Sequence, residues 1–229
     1  MISADFATII DHTLLRPEAT GKDVERLCEE AVRFGFHSVC VAPFFVPLAR
    51  DIVSGGDVSI STVVGFPHGA TFTRVKVFEA LEAVLRGSDE LDIVMNVGMA
   101  REGRWDVVAR EIADVIAATR DAVHKIIIEV CLLSRSEKMK AAAIVRDAGA
   151  AYVKTSTGFC RGGATVEDVM LIRSVVGDTC GIKASGGIRT LAQVRELLNA
   201  GATRIGTSAG VSLMEELSKG SRHGAGESM

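Results

Sequence analysis

The chain has 229 residues, 48% hydrophobic and 24% charged. That balance excludes a disordered polymer and can fill one large core. A net charge of −3 with no clustered basic stripe gives nucleic acid or a membrane surface nothing to hold.

The first residues, Met1-Ile2-Ser3-Ala4-Asp5, lack the basic start and apolar stretch of a signal peptide. No apolar run approaches the roughly 18 residues of a membrane span. After a short N-terminal helix, Ile10–Thr13 reads as the first strand and Lys22–Arg33 as a helix. Strands follow at His37–Ala42, Val58–Val64 and Glu90–Val94, with a helix at Arg74–Leu85 before the last of them. The alternation continues with a helix at Trp105–Ala122, a strand at Lys125–Val130 and a helix at Ser136–Ala148. It ends with strands at Ala151–Lys154, Gly181–Lys183 and Thr203–Gly206, separated by helices at Val166–Val176 and Leu191–Ala200.

The strands are short, rich in Val and Ile, and apolar on both faces, as parallel strands covered by helices are. The helical stretches repeat apolar residues at three- and four-residue steps. Several end at glycine (Gly35, Gly87, Gly149, Gly177, Gly201), which takes the left-handed conformation at a helix C-terminus without steric cost. About eight strand–helix units are expected. They specify an α/β fold, a single (β/α)8 TIM barrel, over a doubly wound sheet, because the glycine-rich loops come late in the chain rather than after the first strand. The barrel should occupy 1–217, with 218–229 a polar tail that frays.

The five cysteines are Cys28, Cys40, Cys131, Cys160 and Cys180. An odd number without a C-x-x-C pair fits neither a disulfide framework nor a zinc cluster, and suits free thiols in a reducing cytoplasm. Lysine is more informative. Lys154 and Lys183 each end an apolar strand, where an ammonium group is rare unless paired. In a barrel both would point into the C-terminal mouth, from neighbouring strands about 4.8 Å apart. Each could simply pair with a carboxylate. Two together could also depress one another's proton affinity, leaving a nucleophilic amine able to form a Schiff base.

Asp92 lies within another apolar strand and would either neutralise Lys183 or shuttle protons. The loop after Lys183 carries Gly186, Gly187 and Ile188. The loop after the last strand carries Gly206, Thr207 and Ser208. Each precedes a helix, where backbone N–H groups favour phosphate, and Thr157 and Gly158 add a third loop beside them. Asp11, Thr13 and Cys40 are supporting candidates from the first two strands, although a turn or plain packing would explain them too. His68 reads as a loop residue, and Met95, Met99 and Trp105 as packing. No H-E-x-x-H or comparable cluster marks a catalytic metal site.

Six segments resemble the deoxyribose-phosphate aldolases in order and spacing. They are Asp11-His12-Thr13-Leu14-Leu15, Val39-Cys40-Val41-Ala42-Pro43, Val64-Gly65-Phe66-Pro67-His68-Gly69, Glu90-Leu91-Asp92-Ile93-Val94, Lys154-Thr155-Ser156-Thr157-Gly158-Phe159 and Lys183-Ala184-Ser185-Gly186-Gly187-Ile188-Arg189. The resemblance implies a cofactor-free, metal-free class I aldolase acting on a small phosphosugar and aldehydes. It implies Lys154 as the Schiff-base lysine, Lys183 as the lysine that perturbs it, and Asp92 as the acid/base partner. Gly158, Gly186, Gly187, Gly206 and Ser208 would sit at the phosphate. Thr207 stands where alanine is common. Another phosphosugar lyase or isomerase, or a binding module without turnover, stays open, as does a homo-oligomer.

Overall fold

Every strand expected from an apolar run is present in the computed structural model, which describes residues 6–223, with side chains through residue 219. The strands are β1 (Ile10–Leu14), β2 (Ser38–Val41), β3 (Ser59–Val64), β4 (Glu90–Val94), β5 (Val123–Ile127), β6 (Tyr152–Lys154), β7 (Gly181–Ser185) and β8 (Arg204–Thr207). All pair in parallel, in chain order, and β1 pairs with β8 to close the barrel.

The helices are α1 (Gly21–Phe34), α2 (Val46–Val53), α3 (Thr73–Leu85), α4 (Val97–Arg101), α5 (Trp105–Ala118), α6 (Arg135–Asp147), α7 (Val166–Val176), α8 (Leu191–Asn199) and α9 (Gly210–His223). Their starts are written locally. Thr20 and Asp23 form a reciprocal capping box at α1, as do Ser134 and Glu137 at α6 and Thr190 and Gln193 at α8. At the other end, Gly35 takes φ 69° and its N–H closes the last turn of α1 on Ala31.

Two helices were not foreseen. α2 is short and carries a proline in its first turn, and α4 has 5 residues, whereas α9 follows the loop after β8, as expected. Two element ends moved by three residues or more. α5 stops at Ala118 rather than Ala122, because the Thr119 hydroxyl donates to Val115 O at 2.9 Å and bonds His124 Nε2 at 2.9 Å. β5 runs Val123–Ile127 rather than Lys125–Val130, because the chain turns at Glu129, whose φ is 52°. The expected N-terminal helix falls mostly on 1–5, outside the described residues; 6 and 7 are helical. Helix α9 continues through 218–223 of the expected tail, and 224–229 lie outside the described residues.

The core divides into two shells of opposite character. Val39, Ile60, Leu91, Ile126, Val153, Ile182 and Ile205 face outward and bury against the helices. Met95 joins that core, and Met99 and Trp105 pack against it, as expected. Barrel interiors usually fill with branched apolar side chains. Here Asp11, Glu90, Asp92, Lys125, Lys154, Lys183 and Arg204, all buried, occupy much of the inside.

Candidate active site

Parallel register determines which charges meet. Lys154 on β6 lies opposite Lys183 on β7, and Asp92 on β4 lies opposite Lys125 on β5. Registered residues share a face of the sheet, so all four side chains enter the barrel. Asp92 is their common acceptor. Its Oδ2 accepts from Lys154 Nζ at 2.6 Å and from Lys183 Nζ at 2.7 Å. Its Oδ1 accepts from Lys125 Nζ at 2.8 Å and from Ser61 Oγ at 3.2 Å. The two strand-end lysines singled out in the sequence therefore share one carboxylate oxygen.

A second ring lies toward the N-terminal end. Lys183 Nζ is 2.5 Å from Asp11 Oδ2, and Lys125 Nζ is 2.6 Å from Glu90 Oε2. Arg204 contacts Asp11 at 2.9 Å and Glu90 at 3.4 Å, and donates to the Tyr152 hydroxyl at 3.1 Å. The other oxygen of Glu90 meets His37 Nε2 at 2.8 Å, and the His37 side chain is 29% exposed. Hydrogen bonds and ion pairs thus run from Lys154 through Asp92, Lys125 and Glu90 to a partly exposed histidine.

Fully ionised, these groups would set four cations (Lys125, Lys154, Lys183, Arg204) against three anions (Asp11, Glu90, Asp92). An unmatched charge away from water is costly, so one lysine proton is in excess. Of the three lysines, Lys154 is the one whose hold on its proton is weakened. Burial first, and then the charge on Lys183, hold Lys154 below the ordinary lysine range against the pull of Asp92. The sequence reading credited the neighbouring lysine; burial is the larger cause. Lys183 shifts the other way, because Asp11 and Asp92 outweigh its burial. Lys125 is also raised, its burial outweighed by Asp92, Asp11 and Glu90. Burial would raise Asp92, yet the three lysines hold it well below the usual carboxylate range. Burial likewise works against Glu90, which His37 and Lys125 bring down to about 2.

Above this floor opens a cavity of about 320 Å³. Of the charge cluster only Lys154 lines it. Its walls include Thr13, Thr157, Gly158, Gly186, Gly187, Ile188, Gly206, Thr207 and Ser208, so each residue proposed for the phosphate loops faces one space. Gly186 and Gly187 precede α8, and Ser208 precedes α9, where helix N-termini favour an anion. Thr207 ties two of these loops, donating to Ile188 O at 2.7 Å and accepting from Ala209 N at 2.9 Å. Gly206 has a second reason to be glycine: a Cβ there would stand 3.0 Å from Lys183 Cε.

The supporting candidates separate. Asp11 binds Lys183 beneath the cavity rather than forming a turn, and Thr13 donates to its carbonyl at 2.9 Å. Cys40 is fully buried under the floor, 4.0 Å from Asp92 Oδ2, and does not line the cavity. Burial, and then Asp92, push its thiol up, so it stays protonated. Thr157 anchors its loop by donating its hydroxyl to Glu129. Sequence reasoning missed Lys125, Glu90, Arg204 and His37. The criterion that found Asp92, a charge inside an apolar strand, applies equally to Lys125 and Glu90. Arg16 and Arg189 also line the cavity and had been assigned no part.

Comparison with known proteins places this arrangement in context. A profile described as DeoC/LacD family aldolase matches residues 6–215. The chain is 51% identical over 218 residues to a deoxyribose-phosphate aldolase of Caldanaerobacter subterraneus subsp. tengcongensis, with 94% of each chain covered. Among solved structures it is similar to a putative deoxyribose-phosphate aldolase from Coccidioides immitis, with TM-score 0.93 and 40% identity, covering 95% of this chain and 87% of that one. It is also similar to the tetrameric deoxyribose phosphate aldolase from Aeropyrum pernix, with TM-score 0.88 and 33% identity, covering 94% of this chain and 92% of that one.

Proposed function

This chain belongs to the DeoC/LacD family of aldolases, and on that footing we propose that it reversibly cleaves 2-deoxy-D-ribose 5-phosphate to D-glyceraldehyde 3-phosphate and acetaldehyde through an imine on Lys154. The observation that carries this reading is the shared Asp92 oxygen. Two amines meet there, and the one with lowered proton affinity is the one lining the cavity. An amine held below the ordinary lysine range is the readier nucleophile.

Neutral Lys154 adds to the C1 aldehyde of the open-chain sugar, and loss of water leaves a protonated imine. That cation takes up the electron pair of the C2–C3 bond as the C3 hydroxyl loses its proton through water toward Asp92. With three lysines around it, Asp92 has low proton affinity and passes the proton on rather than storing it. The C3–C5 fragment leaves as the aldehyde phosphate. Protonation of the remaining enamine and hydrolysis release acetaldehyde and restore the amine. Lys183 keeps its proton and supplies the fixed positive charge beside Lys154. The loops at Gly158, Gly186, Gly187, Ile188, Gly206, Thr207 and Ser208 hold the phosphate, so remote binding energy orients the reacting carbons. Every residue given a part lies between Asp11 and Ser208, within the 1–217 unit.

Incubation with acetaldehyde and borohydride, followed by mass spectrometry, tests the reading. A stable ethyl adduct on Lys154 is expected, together with acetaldehyde release from deoxyribose 5-phosphate. Turnover of that sugar with no adduct would rule out the imine.

No helix among the described residues is long and apolar enough to cross a membrane, and all five cysteines are free thiols, which supports work in the reducing cytoplasm. Phe44 and Phe78, 87% and 66% exposed, line one groove with Pro43, Pro47 and Val75. An apolar groove of this kind and the tetrameric Aeropyrum relative support self-association through α2 and α3. Sedimentation of Phe78→Glu should then show smaller particles than the parent protein.

A further inference from the structure

The cysteines form no metal-ligand spacing in the sequence, yet the barrel brings two of them together. Cys131 lies in the turn after β5, and Cys160 in the segment after β6. Their sulfurs and one carboxylate oxygen of Glu129 all lie within 4.8 Å of one another. Cys131 Sγ is 3.9 Å from Glu129 Oε1.

Three features build the cluster. Glu129 is buried, and its φ of 52° is the one positive value at a non-glycine residue among the described residues. Backbone of that kind persists where surrounding contacts hold it, and it clusters at functional sites. Gly162 packs against Cys131 so closely that a Cβ would stand 2.7 Å from Cys131 Cβ, so glycine lets the two loops approach. Both thiols are exposed, which opens the cluster to ions from solvent.

We propose that Glu129, Cys131 and Cys160 bind a thiophilic divalent cation of the Zn2+ class, at the rim of the cavity and separate from the lysine chemistry. Tetrahedral zinc holds sulfur at about 2.3 Å and oxygen at about 2.0–2.2 Å, which sets donor–donor edges of roughly 3.5–3.8 Å. The 3.9 Å between Cys131 and Glu129 is already close to such an edge. Two soft sulfurs select against Mg2+ and Ca2+, and solvent completes the coordination. Binding exchanges protons for the cation: each thiol releases one to solvent as its sulfur becomes a thiolate ligand. Because the ligating form of each thiol is the thiolate, uptake rises with pH.

The site couples to the cavity through Glu129. Its carboxylate also accepts the Thr157 N–H, at 3.3 Å to each oxygen, and the Thr157 hydroxyl. Thr157 lines the cavity beside Gly158 and Phe159. A cation drawing on Glu129 competes with Thr157 and loosens that wall, without contacting any of the lysines.

The full-length chain, reduced with a phosphine rather than a thiol, is titrated with Zn2+ in a calorimeter and with Cd2+ in the ultraviolet, without substrate. One cation per chain and a sulfur-to-cadmium charge-transfer band are expected. Cys131→Ser and Cys160→Ser should each abolish the band while borohydride trapping on Lys154 continues. This readout is independent of which sugar is cleaved. Bound Zn2+ should raise KM about five-fold, as loss of one hydrogen bond would, with kcat held within about two-fold. Absence of the band, a band surviving in both serine variants, or a phosphine-resistant Cys131–Cys160 disulfide in the mass spectrum would each overturn the proposal.

Discussion

Two buried lysines of this protein have the same perturbation and opposite fates. Lys76, on α3, is fully buried between helices and pairs with Glu111 on α5 at 2.6 Å, with a second bond to Val94 O at 2.7 Å. Burial lowers its proton affinity, as it does for Lys154. Yet the Lys76 nitrogen is held between Glu111 and the Val94 carbonyl, while Lys154 lines the cavity at the barrel mouth. The difference teaches that a depressed amine is not by itself a nucleophile. Reactivity needs the empty space in front of the nitrogen, and a neighbour such as Lys183 that carries the positive charge in its place.

The comparison breaks first at Lys154. Lys154→Ala should lower kcat on the order of 10⁴-fold or more and abolish the trapped adduct, with little change in denaturation midpoint. Equal losses of activity and stability would make Lys154 a structural lysine like Lys76. Lys76→Met should do the reverse. Left unpaired, Glu111 should cost about 3–5 kcal/mol in chemical denaturation, while kcat per folded molecule stays within about two-fold.

Lys183→Met sharpens the electrostatic part. Removing its charge raises the proton affinity of Lys154, so the rising limb of kcat/KM should move to higher pH. Near neutrality kcat/KM should fall about 10²-fold. A profile that keeps its position would mean that burial alone sets Lys154.

The smallest effect lies at the far end of the network. Glu90 is held at about 2 in the folded protein against 4.5 ordinarily. A depressed carboxyl contributes stability that is complete above its unfolded value and is lost as pH falls through its folded value. Urea midpoints should therefore decline from about pH 4.5 toward 2. His37→Gln should shrink that decline by about 1 kcal/mol, and an unchanged decline would remove His37 from the network.

Much of this was legible because it is local. The glycine after α1 acts within a few residues of itself, and so do the capping boxes at Thr20, Ser134 and Thr190, which the sequence reading passed over. Strand and helix periods are likewise local, so the barrel units could be read in order. Helix α2 was not legible, being only 8 residues long with a proline in its first turn. Lys154, Lys183 and Asp92 stood out because a charge within an apolar strand contradicts its surroundings.

By itself, then, the sequence determined the strand-and-helix alternation, the late glycine loops and the charged side chains that had to find partners. It could not say which partners. Asp11 meets Arg204 across 193 residues only because β1 closes against β8. The excess of one buried cation and the weakened proton affinity of Lys154 were decided by the closed barrel, and the meeting of Cys131 with Cys160 by the pairing of β5 with β6. Proton affinity and metal geometry depend on distances of a few ångströms in a medium of low polarity, and those distances exist only once the barrel is formed.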